Sequence, residues 1–405
     1  MSQITYRGSK LFIRDRSIRR VNSLGYSTEF RNEDVFELGN KDRAGYVTEV
    51  PGGSITIDGY DYASMRTLNA LLSINKNVIE LGKDLDNKSC DIYVWYEMDD
   101  KQVFSRYFDS YYLTSIRYSY TVDGNFTESY NLEGNDSKIY YNDGKYIVPA
   151  IAKPDTVNNV YTYTSSSTGK VVDVLAVYHG GVKKPKSEWT SKITTGGTGS
   201  TVTITPTSGA LWGDGLVVIR LAANEPRISD GTEGDANFVW DTEPTGAPAA
   251  LRRGNIKVYI TPGGVVGNKV ELRGIQSLNI DCTINRDERR ELGYSYVTER
   301  PIRYPIDISI SVDITDEDFA LMAKLAGVDM VDGAILNLAE LNQKFGLYVE
   351  LFKKSDLERD ADAKADKILE IPEIVFRDES YNVSVDSNAT QSLSFNSHNL
   401  IVRSV

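Results

Sequence analysis

From Pro305 to Ile314 the chain reads PIDISISVDI. Ile306, Ile308, Ile310, Val312 and Ile314 fall on one side of an extended chain. Asp307, Ser309, Ser311 and Asp313 fall on the other. A period of two predicts a strand with one buried and one wet face. Weaker versions run from Gln3 to Arg14, from Val21 to Phe30 with Gly25 as a bend, and from Cys90 to Tyr96 and Phe345 to Leu351. Tyr46–Val50 and Ser54–Asp58 read as short strands around a Pro51-Gly52-Gly53 turn. Two segments follow helical spacing instead. Thr315 is placed as an N-cap, with Asp316, Glu317 and Asp318 in the first turn, an apolar stripe through Phe319, Met322, Ala323 and Leu325, and Gly327 as the stop. Tyr60–Ile74, with Met65, Leu68, Leu71 and Leu72 on one face, is its predicted counterpart. The fold class is therefore mainly β with a minor α component.

These elements occur twice. VNSLGYSTEFRNEDVFEL, Val21 to Leu38, returns as IQSLNIDCTINRDERREL, Ile275 to Leu292, at a constant spacing of 254 residues (23 to 277, 37 to 291). Val47-Thr48-Glu49 and Pro51 return as Val297-Thr298-Glu299 and Pro301, and Ile92-Tyr93-Val94 returns as Leu347-Tyr348-Val349. YSYTVDGNFTES, Tyr118 to Ser129, returns as YNVSVDSNATQS, Tyr381 to Ser392, now 263 residues on (122 to 385). A polar excursion follows each Tyr93-type strand, Met98–Phe104 in the first copy and Lys353–Asp366 in the second. The predicted organisation is a first module over 1–137, an inserted module over 138–250 and a second module over 251–405. The insert is rich in Thr, Ser and Gly and has short strand signals separated by turns, so it reads as a small β-sandwich on the outer surface.

Composition narrows the function. The net charge is −12, with 45 Lys and Arg against 57 Asp and Glu. No basic stripe exists for holding a duplex. No apolar run reaches the ~18 residues of a membrane span, and the N-terminus lacks the apolar core of a secretory signal. Cys90 and Cys282 sit at non-equivalent places in the two copies and read as free buried thiols.

Catalytic patterns are weak. His179 in VYHGG and His398 in NSHN read as exposed polar residues, without zinc-ligand spacing. GGTGST, from Gly196, lacks the lysine of a phosphate loop and reads as a hairpin turn. Asp313, Asp316, Glu317 and Asp318 lack the calcium-loop pattern and suit a helix start. No catalytic, cofactor or metal site is assigned. Arg286, Asp287, Glu288, Arg289 and Arg290 form a mixed-sign run whose counterpart, Arg31, Glu33 and Asp34, is acidic. This difference argues against a shared nucleic-acid contact.

The order of elements in each copy, closing on a motif such as YSYTVDGNFTESYNLEGND, resembles the tail tube proteins of tailed bacteriophages, in the form where two tube modules are fused in one chain. The resemblance implies β-barrel modules with the helix packed outside, six to a ring, with rings stacked into a tube that conducts DNA. It implies a homotrimer with pseudo-sixfold symmetry, located in the virion and assembled in the host cytoplasm. Partners would be further copies of itself and other tail proteins: tape measure, terminator, baseplate and sheath. Ser54, Thr56, Asp58, Asp307, Ser309, Ser311 and Asp313 become the candidate lumen face. The two loops holding Arg31, Glu33 and Asp34, and Arg286 to Arg290, become candidate inter-ring or intersubunit contacts, as do the two polar excursions. A terminator or baseplate hub that stops at one ring is the alternative. So is a carbohydrate-binding virion protein acting through Trp189 or Trp212 of the insert.

Overall fold

Alternation becomes burial where the sequence carries it most plainly. Between Asp307 and Thr315, Ile308, Ile310, Val312 and Ile314 are buried and Asp307, Ser309 and Ser311 are exposed. The computed structural model describes residues 9–404 except 14–15, 31, 37–42, 49–51, 73, 75, 86–88, 99–100, 142–145, 165–170, 180–181, 197–198, 213–216, 224–249, 263–268, 293–296, 316–344, 361 and 383–388. The predicted helix after Thr315 lies outside the described residues.

The fold is mainly β, with large antiparallel sheets. The first part of the chain forms β1 (Ser9–Ile13), β2 (Arg16–Ile18), β3 (Val21–Glu29), β4 (Asn32–Phe36), β5 (Arg43–Thr48), β6 (Gly52–Tyr60), α1 (Arg66–Leu72), β7 (Val78–Glu80), α2 (Leu81–Asp84), β8 (Cys90–Met98), β9 (Lys101–Thr121), β10 (Thr127–Gly134) and β11 (Asp136–Tyr141). The middle forms β12 (Tyr146–Asp155), β13 (Val160–Thr164), β14 (Val171–His179), β15 (Val182–Lys183), β16 (Trp189–Gly196), β17 (Gly199–Pro206) and β18 (Val217–Ala223). The last part forms β19 (Ile256–Pro262), β20 (Val270–Glu271), β21 (Ile275–Thr283), β22 (Arg289–Arg290), β23 (Val297–Glu299), β24 (Asp307–Thr315), β25 (Phe345–Leu351), β26 (Lys367–Asn382), β27 (Thr390–Ser397) and β28 (Ile401–Ser404).

Eight strands make one continuous antiparallel inner sheet, in the order β3-β6-β10-β9-β21-β24-β27-β26. Its second half repeats the first register for register. Ser23 lies opposite Asp58 and Asp58 opposite Ser129; Ser277 lies opposite Asp313 and Asp313 opposite Ser392. The register break between Val21 and Ser23 recurs between Ile275 and Ser277. The bulge that leaves Thr114 unmatched recurs at Arg377. Bulges add twist and bend a sheet locally, so the two halves carry the same devices at the same places.

An outer layer covers the apolar face. It consists of β2-β1-β8-β9-β11 and of β20-β19-β25-β26-β28-β7. The long strands β9 and β26 run from outer to inner layer. β7, from the first copy, pairs with β28 at the end of the second. One hydrophobic core runs through both copies, from Leu11 to Val402.

The middle strands fold over a core of their own, which also takes in Phe12 and Tyr93. These two alternate with Leu11, Ile13, Ile92 and Val94, which face the main core. The middle strands therefore sit on the outer layer, on the side opposite the inner sheet. Tyr178 donates a buried hydrogen bond to Asp91 at this junction.

Three local expectations change. The helix predicted over Tyr60–Ile74 is confined to Arg66–Leu72, because Tyr60 completes β6 opposite Thr127 and Asp61 turns inward. Most of the Met98–Phe104 excursion is strand, with Met98 at the end of β8 paired to Lys101 at the start of β9. Gly52 and Gly53 are strand residues, opposite Glu29 and Thr28. Gly53 and Gly134 are needed for space, since a Cβ would lie 2.1 Å from the Tyr111 hydroxyl and 2.4 Å from the Tyr111 ring respectively. At the matching positions of the second copy, Ile374 replaces Tyr111 and Ser397 replaces Gly134, so the bulk is redistributed. Gly134→Ala is expected to cost about 1–3 kcal/mol through overpacking, read as a lowered urea midpoint. A Tyr111→Ile change in the same chain should recover part of it.

Candidate assembly site and channel face

Because side chains alternate, register decides what each sheet face presents. Ser54, Thr56 and Asp58 on β6, and Asp307, Ser309, Ser311 and Asp313 on β24, all occupy the inner-sheet face turned away from the core. Their neighbours are of the same kind: Ser23 and Ser27 on β3, Ser115 and Ser119 on β9, Ser129 and Asn131 on β10, Asn279 and Asp281 on β21, Ser392 and Ser394 on β27. Among the described residues, Arg117 is the one basic side chain at the register-paired positions of this face, and it is ion-paired with Asp281.

The face is tied together by side-chain bonds that the duplication repeats. Asp58 accepts from Ser23 Oγ at 2.5 Å and from Ser129 Oγ at 2.5 Å. Asp313 accepts from Ser277 Oγ at 2.5 Å and from Ser392 Oγ at 2.6 Å. Each carboxylate thus bridges three strands through both oxygens. Charge-assisted bonds of this kind are stronger than neutral ones. Thr56 Oγ1 donates to Asn131 (2.8 Å), whose amide donates to Ser115 (2.7 Å). Among the described residues no His, Cys, Asp and Glu cluster is arranged to hold a metal ion.

The other singled-out residues are dispersed. Arg31 lies outside the described residues, and Glu33 and Asp34 sit in β4, paired with β5. Arg286 is half-buried and donates from Nε to the Leu113 carbonyl (2.8 Å), tying the second copy to the first. Asp287 donates its amide to Pro301 (3.0 Å). Glu288 is ion-paired with Arg290 and Arg300, and Arg289 with Glu299. His398 is exposed, but His179 ends β14 with its Nε2 buried, so it is not the exposed turn residue expected. Trp189 is a core residue whose Nε1 donates to the Lys184 carbonyl at 3.3 Å. Trp212 is stacked on Tyr161 at 5.2 Å. Cys90 and Cys282 are buried free thiols.

The sequence pattern did not reveal a charged cluster buried between the copies. Lys367 Nζ, from β26, donates to Asp61 Oδ2 at 2.8 Å and to Glu128 Oε2 at 3.2 Å. Tyr120 adds a hydrogen bond to Asp61 at 3.1 Å, and the Lys367 ammonium lies 4.7 Å from the Tyr118 ring centre. All three charged residues are buried. Burial pushes Glu128 up, against the pull of Lys367 and with the help of Asp61, to about 7. Burial draws Lys367 down, but Asp61 and Glu128 outweigh it and the net shift is upward. A signal existed in the sequence. Glu128 is in phase with Tyr130 and Leu132, which makes it an acid at a core position.

No protein-family model and no curated protein matches the chain. Solved structures do show a likeness. One is a chain of the cryo-EM structure of the anti-feeding prophage baseplate, at 10% identity, over 40% of this chain and 97% of that one, with a TM-score of 0.28. A chain from the tail of an empty GTA particle, refined helically with C6 symmetry, is similar at 14% identity, over 36% and 94%, with a TM-score of 0.23. A chain from the virion of a native gene transfer agent particle is similar at 12% identity, over 36% and 94%, with a TM-score of 0.23. No helix among the described residues is long and apolar enough to cross a membrane.

Proposed function

We propose that the chain is a structural subunit of a phage-type tail tube, with no catalytic role, which assembles from copies of itself into rings that stack. The observation that carries this is the inner sheet. The second copy is joined to the first through β9 and β21, and repeats its register and bulges. Such an addition is head to tail, and head-to-tail contacts make closed rings or open filaments. Three chains supply six copies and 24 inner strands. At ~4.8 Å per strand the ring would measure about 37 Å across the backbone before tilt widens it, which leaves an open channel.

The polar face is then the lumen, with Ser54, Thr56, Asp58, Asp307, Ser309, Ser311 and Asp313 on it. Its chemistry suits DNA in transit. Each free Lys or Arg would bind phosphate through counterion release, whereas hydroxyls already bonded to carboxylates offer a phosphate few donors. The middle strands, on the opposite side of the body, would decorate the outside. The loop of Lys353–Asp366, the β4–β5 pair that carries Glu33 and Asp34, and the segment Arg286–Arg290 that runs into β22 are assigned to contacts between rings or subunits. Other tail proteins, such as tape measure, terminator, baseplate and sheath, are the expected further partners in the virion.

Electron microscopy of the purified protein, with its mass in solution, tests this. Stacked rings of three chains with sixfold modulation are expected. Single rings that never stack would move the role to a terminator or hub. A monomer at every concentration would overturn the proposal.

A further inference from the structure

The junction between the two copies lies inside the chain. Within it, β9 of the first copy pairs with β21 of the second, placing Ile280 opposite Tyr118, Asp281 opposite Arg117 and Asn279 opposite Ser119. The duplication maps β21 onto β3, 254 residues back, and β9 onto β26, 263 residues on. Among the described strands, β3 pairs with β6 alone and the C-terminal half of β26 with β27 alone. These are the two ends of the inner sheet.

Burial at the two ends departs from the template in one direction. At the internal junction Ile280 is 0%, Ile284 1% and Tyr118 1% exposed. Their counterparts Tyr26, Phe30 and Tyr381 are 40%, 69% and 43% exposed. Large side chains at core positions are thus fully buried where a second module is present and 40–69% exposed where it is absent, even though Tyr26 packs on Phe108 and under Arg106. A long open sheet edge is also a template for pairing with another chain.

We infer that β26 of one copy pairs antiparallel with β3 of a second copy of this chain, in the register of the internal junction: Tyr381 opposite Tyr26, Ser380 opposite Ser27 and Asn382 opposite Gly25. This rests on the tube-subunit reading and specifies its seam. The amide of Phe30 then meets the carbonyl of Arg377, as the amide of Ile284 meets that of Thr114 at 2.8 Å within the chain. The seam is softer than its template. Ser27 and Ser380 stand where Asp281 and Arg117 form an ion pair, and Glu29 falls opposite Asp378. Those like charges oppose closure at low salt, where screening is weak.

The test is disulfide trapping in the full chain at ~0.3 M salt, where the Debye length is under about 8 Å. Cys90 and Cys282 are buried and do not compete. Ser27→Cys with Ser380→Cys should cross-link on oxidation into covalent trimers. Ser23→Cys with Ser380→Cys, four residues out of register, should yield at least ~10-fold less. In a separate variant, Tyr26→Asp should abolish rings while leaving the circular dichroism of the subunit unchanged. Rings seen by microscopy without S27C/S380C trimers, or with equal cross-linking out of register, would overturn the seam and spare the tube reading. Absence of rings in the unmodified protein would overturn both.

Discussion

Lys367→Met is expected to destabilise the subunit by about 3–5 kcal/mol, the usual cost of removing one partner from a buried charge pair. The ammonium of Lys367 is the cation held between the Asp61 and Glu128 carboxylates, at 2.8 and 3.2 Å. Water does not reach either acid, since all three side chains are buried. Without the ammonium, two carboxylates face each other in a site closed to water and lined by Tyr118, Tyr120 and Tyr130, and at least one must take up a proton. The damage should centre on the junction of the copies, because Lys367 comes from the second and both acids from the first. The measurement is a urea unfolding curve at fixed pH.

A second variant separates charge from packing. Lys367→Met combined with Asp61→Asn and Glu128→Gln removes the whole cluster. Buried ionic groups replaced together often cost little, because their desolvation penalty disappears with them. The triple variant should therefore recover most of the loss. If the triple variant is as unstable as the single one, Lys367 acts through packing of its stem and not through its charge.

How much of this was legible in the sequence depends on the range of the interaction. Alternation in PIDISISVDI reports the local period of one strand, and it placed Asp307, Ser309, Ser311 and Asp313 on one face correctly. Repeat spacing did the same for β3 and β21, because both copies obey the same register. Gly53 is misleading, since a glycine that makes room for a ring looks the same in sequence as one that makes a turn. The helix over Tyr60–Ile74 is shorter than its spacing predicts because Asp61 turns inward to Lys367, 306 residues away, while its other oxygen accepts from the Ala63 amide at 2.9 Å. The three-strand bridges through Asp58 and Asp313 leave no local mark in the sequence. They need the sheet order, which pairs β6 with β10 across the α1, β8 and β9 segments.

Between pH 5 and pH 7.5 the wild-type subunit is expected to lose stability through Glu128, and Glu128→Gln is expected to remove that loss. Burial is the leading cause that raises the Glu128 carboxyl to about 7 in the folded state, above the 4.5 of an ordinary glutamate. Between those two values the folded chain holds a proton that the unfolded chain has released. Stability therefore falls as pH rises through this window and levels off above it. A tenfold change in proton affinity is worth ~1.4 kcal/mol, so the swing is on the order of 3 kcal/mol. Other carboxylates that are hydrogen-bonded in the folded state push the opposite way as pH rises. The useful quantity is therefore the difference between wild type and variant at each pH, taken from urea midpoints. The duplication recommends glutamine as the replacement, since Gln391 stands opposite Ile314 on β24 at the position that matches Glu128, and it is equally buried. At pH 5, with Glu128 protonated, Lys367 and Asp61 form a one-to-one pair and the variant should match the wild type closely. At pH 7.5 the variant should be the more stable of the two. A difference that stays constant across the window would mean that Glu128 does not titrate there, and that Lys367 holds it ionised at both ends.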